Sequence, residues 1–458
     1  MKLHQLLLLS SLGGILAASA DPAITKVTVT PPADGSGVVR VEYELSAPAV
    51  VTMDVTTNNG ANAWVSIGGG NIWYFSAGSD VFRKVSGKDT YRIEWDAGKS
   101  WPGHSVGADG LRVELTAWPL GNTPDYLVAD ISFGAQPNTQ RYYPSEEFLP
   151  GGLLDNPEYR QTKLVMKKVL AKDVLWTMGC HSETGGPQAN ETEHRVRLDH
   201  NYYLAVFPMT QIQSKEFYSA CYYGVAEDVG MSTANRVCLR PEDRVCYNYL
   251  FTGSTSADVN YMWPSNPAPN SSLGKLRTRT GLDITLPSEA EWEFACRAGH
   301  GDGYWGDGSP ITSTTNDPNF PGRFRYNYGL INNTGTPPQV AALSNATAVV
   351  GSYAPNSWGF YDMHGNVWEF CLDWSENYDT SRSPEEAGLP NIDPEHPLNA
   401  ASGAAGVKRV IRGGTFYYTA KECRSAFRWE MSPSQVYYNV STAANVLGYR
   451  VCCRAGLD

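Results

Sequence analysis

From Gly359 to Trp374 the chain reads Gly-Phe-Tyr-Asp-Met-His-Gly-Asn-Val-Trp-Glu-Phe-Cys-Leu-Asp-Trp. Three further stretches follow in order: Arg409-Val-Ile-Arg-Gly-Gly-Thr-Phe416, Cys423-Arg-Ser-Ala-Phe-Arg428 and Gly448-Tyr-Arg-Val451. Their glycines, tryptophans and arginines recur with too little period to be helices, so they describe a loop-rich scaffold. Within the first stretch, Asp362 and Glu369 bracket Gly365 and Val367 in one glycine-turned loop. Two carboxylates and two inward-turned peptide carbonyls are oxygen-only donors, which suit a hard cation such as calcium, with waters completing about six to eight ligands. A helix cap beside a solvated carboxylate is the competing reading of the same residues.

Outward from this stretch, Pro287-Ser-Glu-Ala-Glu-Trp-Glu-Phe-Ala-Cys-Arg-Ala-Gly299 carries a helix start at Pro287 or Ser288, acidic residues in the first turn and a stop at Gly299. Trp292 and Cys296 share a face of that helix. A further helix is expected from Ser214 to Ala220, after strands near 174–179 and 194–198.

Taken together, these segments resemble the formylglycine-generating enzyme family, also called sulfatase-modifying factors, over about residues 165–455, in a domain running from 165 to 458. The resemblance implies an α+β C-type-lectin-like fold, with structural calcium at Asp362, Gly365, Val367 and Glu369. A second calcium would begin at Asn327 and Tyr328, but Ala341-Ala-Leu-Ser-Asn345 lacks the acidic ligand that site needs. Active members hold Cu(I) between two cysteines five apart after the Gly-Gly turn, since soft thiolates favour that ion. Here an ungapped count from Gly413-Gly414 puts Tyr418 and Cys423 at those places. Anchoring on Arg424–Arg428 instead makes Cys423 a core or disulfide cysteine in a shorter loop. Either way the copper pair is missing, leaving Cys423, Thr415 and Tyr418 as the catalytic candidates. Tyr417, Tyr418, Trp429, Tyr437 and Tyr438 gather near the family's substrate cleft and read equally as core or as a binding surface.

Residues 1–20 have the charged start, short apolar run and Ala18-Ser-Ala20 end of a signal peptide, so the chain is expected outside the cytoplasm: secreted, periplasmic or cell-surface. Residues 21–133 contain no cysteine and alternate with the period of half-buried strands, as in Val27 and Val29, or Val39, Val41 and Tyr43. Short alternating strands between turns read as an all-β sandwich of immunoglobulin or fibronectin type. Residues 134–164, with four prolines, read as a linker.

All nine cysteines follow Gly179, which permits disulfides in an exported chain; the resemblance favours Cys296 with Cys423, Cys371 competing, and spacing does not settle it. A net charge of -11 argues against nucleic acid, and no stretch after the leader is apolar enough to span a membrane. The preferred reading is an exported binding or assembly module for a protein or peptide ligand, a sulfatase being one candidate. An oxidase that converts a sulfatase cysteine to formylglycine, or a divergent metal-dependent oxygenase, is the alternative.

Overall fold

A computed structural model of the chain describes residues 21–32, 37–58, 63–104, 110–181, 186, 188, 190–215, 217, 239–243, 245–254, 267–326, 347–375, 391–392, 408–434 and 446–454. The signal-peptide reading and the sites at Asn327, Tyr328, Tyr437 and Tyr438 lie outside the described residues.

Seven strands open the chain: β1 (Ile24–Thr30), β2 (Val38–Leu45), β3 (Ala49–Thr57), β4 (Val65–Ser66), β5 (Arg83–Val85), β6 (Tyr91–Asp96) and β7 (Leu111–Trp118). They form two sheets, β1-β2-β6 and a second built on β3, which pairs with β7 along one edge and with β4 and β5 along the other. Alternation puts Val39, Val41 and Tyr43 of β2 opposite Trp95, Ile93 and Tyr91 of β6. All six are buried in the cluster that also holds Val51, Met53 and Val55 of β3. Cross-strand pairs of this kind stabilise a sheet by about 0.2–1 kcal/mol each, and the Tyr43 and Tyr91 rings stack at 5.2 Å. The alternation at Val27 and Val29 does not bury them. β1 is an edge strand, and both side chains are exposed.

The predicted boundary at residue 133 falls elsewhere. β8 (Tyr126–Asp130) and β9 (Arg141–Tyr143) join β10 (Lys163–Val169), β13 (Tyr202–Ala205) and β19 (Cys452–Arg454) in one sheet of order β19-β13-β10-β8-β9; β11 (Leu175–Met178), β12 (His194–Arg197) and β15 (Asn391–Ile392) form another in that order. The expected linker is therefore part of the body, with Tyr143, Phe148, Leu149 and Tyr159 buried in the same cluster as Trp95. Their aromatic and aliphatic side chains outweighed the prolines that suggested a tether.

Few helices occur among the described residues: α1 (Ala97–Ser100), α2 (Gln211–Lys215), α3 (Tyr247–Thr252), α4 (Ser272–Thr280) and α5 (Glu289–Arg297). α5 starts as predicted: Ser288 accepts the Glu291 N–H while Glu291 accepts the Ser288 N–H, a complete capping box. It ends one residue earlier than expected, at Ala298 in the left-handed region (φ 49). All nine of its residues are buried. Facing it, β14 (Trp368–Trp374), β16 (Arg409–Arg412), β17 (Trp429–Met431) and β18 (Leu447–Gly448) form a sheet of order β17-β16-β14-β18, so the four motif stretches converge on one layer.

Candidate functional site

Two glycine-bearing turns interlock at the centre of this layer. Gly365 (φ 90) donates to the Gly413 carbonyl, and Phe416 N–H donates to the Asn366 carbonyl at 3.2 Å. Gly413 (φ 92) lies close under the indole of Trp292, where an added Cβ would sit 3.2 Å from the ring. Glycine is required at both places by backbone conformation and by close approach.

The Asp362 carboxylate is buried and accepts from Gly351 N–H at 2.8 Å and from Asn366 Nδ2 at 3.2 Å. Burial pushes its carboxyl up to about 6, against the pull of the Gly351 N–H, Arg450 and Asn366. Glu369 is placed differently. Arg450 grips it with Nε at 3.0 Å and Nη2 at 2.9 Å, and Trp292 Nε1 donates to it at 2.7 Å. Gly365 O accepts from Val367 N–H at 2.9 Å. The donor set for a hard cation is thus one buried carboxylate, Asp362, with neighbouring carbonyls; the second carboxylate is already neutralised by a guanidinium.

Copper chemistry fits these residues poorly. Cys423 is buried beneath Gly414 (φ 74), where a Cβ would overlap its sulfur, and its thiol points to the Thr415 carbonyl at 3.9 Å. Burial raises that thiol well above its ordinary value. Tyr418 packs its ring against Trp368 at 5.7 Å and offers no sulfur. Thr415 is buried, its hydroxyl accepting the Tyr417 N–H.

The favoured Cys296–Cys423 bridge is not formed. Cys296 and Cys423 are each a free buried thiol. Cys296 contacts Ser425 Oγ at 3.5 Å and the Met363 carbonyl at 3.8 Å, and burial pushes it up to about 12. Between these residues stands His364, its Nδ1 2.9 Å from the Cys423 carbonyl and its Nε2 accepting Gly306 N–H at 3.0 Å. This makes Nδ1 the protonated nitrogen, and burial lowers the ring to about 4, so it is a neutral strut.

The sequence flagged the arginines without their partners. Arg428 forks onto Glu289 at 2.6 and 2.8 Å, and Arg424 Nη2 donates to both oxygens of Glu191 at 3.0 Å. Arg412 pairs with Glu293 and lies 3.0 Å from Glu289 out of hydrogen-bonding line, while Arg297 pairs with Glu293 at 2.8 Å. Glu289 and Glu293 stand one turn apart on α5, a spacing that signalled a shared face but not what it would meet.

Of the aromatic candidates, Trp429 is 44% exposed, while Tyr417 and Tyr418 are half-buried. Trp429 stacks on Phe427 at 6.0 Å and lies 6.4 Å from both Tyr418 and Trp368. Arg325 sits 5.8 Å from the Tyr417 ring centre. These rings form a partly exposed platform on β17 and the 415–418 turn.

The model of the sulfatase-modifying factor enzyme 1-like domain matches residues 160–454. The chain belongs to this family. Curated relatives include formylglycine-generating enzymes of Thermomonospora curvata (34% identical over 143 residues, 30% of this chain and 40% of that one) and Streptomyces coelicolor (34% over 179 residues, 38% and 47%). The serine/threonine-protein kinase pkn1 of Chlamydia pneumoniae matches at 31% over 163 residues, 35% of this chain and 21% of that one. The chain spans less than half the length of these relatives. Among solved structures, PvdO from Pseudomonas aeruginosa is similar with a TM-score of 0.42 and 20% identity, over 64% of this chain and 94% of that one. The sulfatase-modifying-factor domain thus includes the interlocked turns, the α5 carboxylates and the aromatic platform. Among the described residues no helix is long and apolar enough to cross a membrane.

Proposed function

We propose that this sulfatase-modifying-factor domain is an exported binding or assembly module whose ligand, a protein or peptide, docks on Tyr417, Tyr418 and Trp429. One observation carries the reading: the turn after Gly413-Gly414 holds a tyrosine beside a buried, protonated thiol in place of two accessible thiolates. A half-exposed aromatic platform at the same turn supports docking, since rigid aromatic anchors dominate interface energetics. The two N-terminal sheets, read as an immunoglobulin- or fibronectin-like sandwich, serve as spacer or adhesion element. A calcium ion is proposed at Asp362 with the carbonyls of Gly365 and Val367, Glu369 being taken up by Arg450; there it would neutralise a buried carboxylate and brace the turn.

The names of the curated relatives favour a second reading, oxidation of a sulfatase cysteine to formylglycine. One assay separates the two. The reduced protein is incubated with Cu(I), oxygen and a peptide carrying Cys-x-Pro-x-Arg, and the peptide is weighed by mass spectrometry. An unchanged mass is expected; aldehyde formed by the wild type and lost in Cys423→Ser would overturn the binding reading.

A further inference from the structure

A cavity of about 190 Å³ opens far from the interlocked turns, between the 72–82 turn and β9. Its walls include the rings of Trp73, Phe75, Phe82 and Tyr143, with Phe82 and Tyr143 stacked at 5.1 Å. The two-residue period of β9 puts Arg141 and Tyr143 on its cavity side and sends Tyr142 the other way, into the core beneath α4. Among the described residues, neither the Arg141 guanidinium nor the Tyr143 hydroxyl has a hydrogen-bond or ion-pair partner.

A half-buried guanidinium that still reaches solvent and has no anion beside it is placed to take up one that enters the cavity. The neighbouring charge is another cation, Arg83, whose carboxylate partner Asp80 also takes Lys88 at 2.9 Å. Burial, and then Arg83, lower the Arg141 guanidinium from its ordinary value. Tyr143 is pushed up to about 12 by burial, so its hydroxyl is a neutral donor at physiological pH. Phe82 adds an independent sign: it is buried and holds φ 55, a left-handed conformation that a bulky residue keeps only where its surroundings enforce it. Val51 O accepts its N–H at 2.7 Å and Tyr142 N–H donates to its carbonyl at 2.8 Å, which fixes the ring at the cavity base.

We propose that this cavity binds a small aromatic carboxylate, with its oxygens on Arg141 and Tyr143 and its ring among Trp73, Phe75 and Phe82. Carboxylate is the anion that a guanidinium fork meets with two parallel hydrogen bonds, and the aromatic walls select an apolar body over a hydrated inorganic ion. The volume sets the size: drug-sized ligands occupy about 300–1,000 Å³, so this cavity takes a single ring with its carboxylate.

The probe is 4-fluorobenzoate, followed by fluorine NMR line broadening with the full chain; 4-fluorobenzyl alcohol is the uncharged control and inorganic phosphate the ring-free one. Ligand efficiency for about ten heavy atoms gives an expected Kd of order 0.1–1 mM. Arg141→Met is expected to weaken binding by about tenfold or more, and Tyr143→Phe by severalfold to tenfold, as hydrogen bonds to a charged group are lost. Arg141→Lys, which keeps the charge without the fork, is expected to fall between wild type and Arg141→Met, and it decides the matter with Tyr143→Phe if Arg141→Met does not fold. Alcohol or phosphate binding as tightly as the benzoate, no broadening at 10 mM probe (about ten times the weakest expected Kd), or folded variants that bind like wild type would each overturn the proposal.

Discussion

Replacing Glu369 by Gln keeps the shape of the side chain and removes its charge, leaving Arg450 buried without its counterion. Arg450 is 0% exposed, and in the intact protein it also donates to the carbonyls of Ala205 at 2.8 Å, Val206 at 2.9 Å and Tyr361 at 2.7 Å. Those three carbonyls orient the guanidinium but cannot balance a full charge, and the glutamine amide turns an N–H₂ toward a donor. Breaking a buried pair on one side costs about 3–5 kcal/mol. At about 1 °C per kcal/mol for a single cooperative unit of this length, the melting temperature is expected to fall by about 3–5 °C. The assay is urea unfolding followed by tryptophan fluorescence and circular dichroism. Glu369→Leu with Arg450→Met is the companion: removing both charges should cost less than the sum of the single changes by about 2 kcal/mol or more, since each single change strands a charge that the double change does not. A loss below about 1 kcal/mol for Glu369→Gln, or strictly additive single and double changes, would refute the view that this pair is a mutually neutralised buried unit.

Gly414→Ala is expected to destabilise by about 2–4 kcal/mol, because φ 74 strains an L-residue and the new Cβ meets Cys423; Cys423→Ala should restore only part of this, as Glu422 O remains 2.8 Å away. In chelator-treated protein, added calcium should raise the melting temperature and Asp362→Asn should abolish that rise; indifference of the wild type to chelator and calcium would remove the cation from this turn. Glu291 gives the acid response: burial pushes its carboxyl up, but His200 at 2.7 Å and the Ser288 N–H outweigh this and hold it below 4.5. A depressed carboxyl contributes stability above its unfolded value and loses it as pH falls through the folded one, so the stability gap between wild type and Glu291→Gln should narrow below about pH 4.5. Trp429→Ala should change stability by less than about 1 kcal/mol, its ring being half in solvent, while eliminating partner capture.

Where the physics is local, the sequence was readable. The Ser288 cap is written in residues three apart, and the two-residue period of Val39, Val41 and Tyr43 foretold the buried face of β2. Period alone could not tell an edge strand from an inner one, so Val27 and Val29 read as half-buried yet face solvent. Nor could it assign residues 126–143 to a sheet, because β8 finds its partner in β10 across 32 or more residues of intervening chain. The arginines of the motifs were visible, but Glu191, Glu289 and Glu293 became their counterions only through tertiary approach. Cysteine pairing failed for a similar reason: resemblance suggested adjacency, whereas Cys296 and Cys423 each turned to a separate oxygen.

The cluster that joins Trp95 and Val51 to Val165, Phe207 and Tyr361 has a thermodynamic consequence for the whole chain. Tyr361 precedes Asp362 and carries the carbonyl held by Arg450, so the sheets at one end and the interlocked turns at the other are anchored in the same apolar mass. Heating should therefore melt residues 21–118 and the family domain in a single calorimetric transition, with no early step for an independent bead. Any cut between residues 134 and 164 would strip β8 from β10 and leave two insoluble fragments in place of two folded ones.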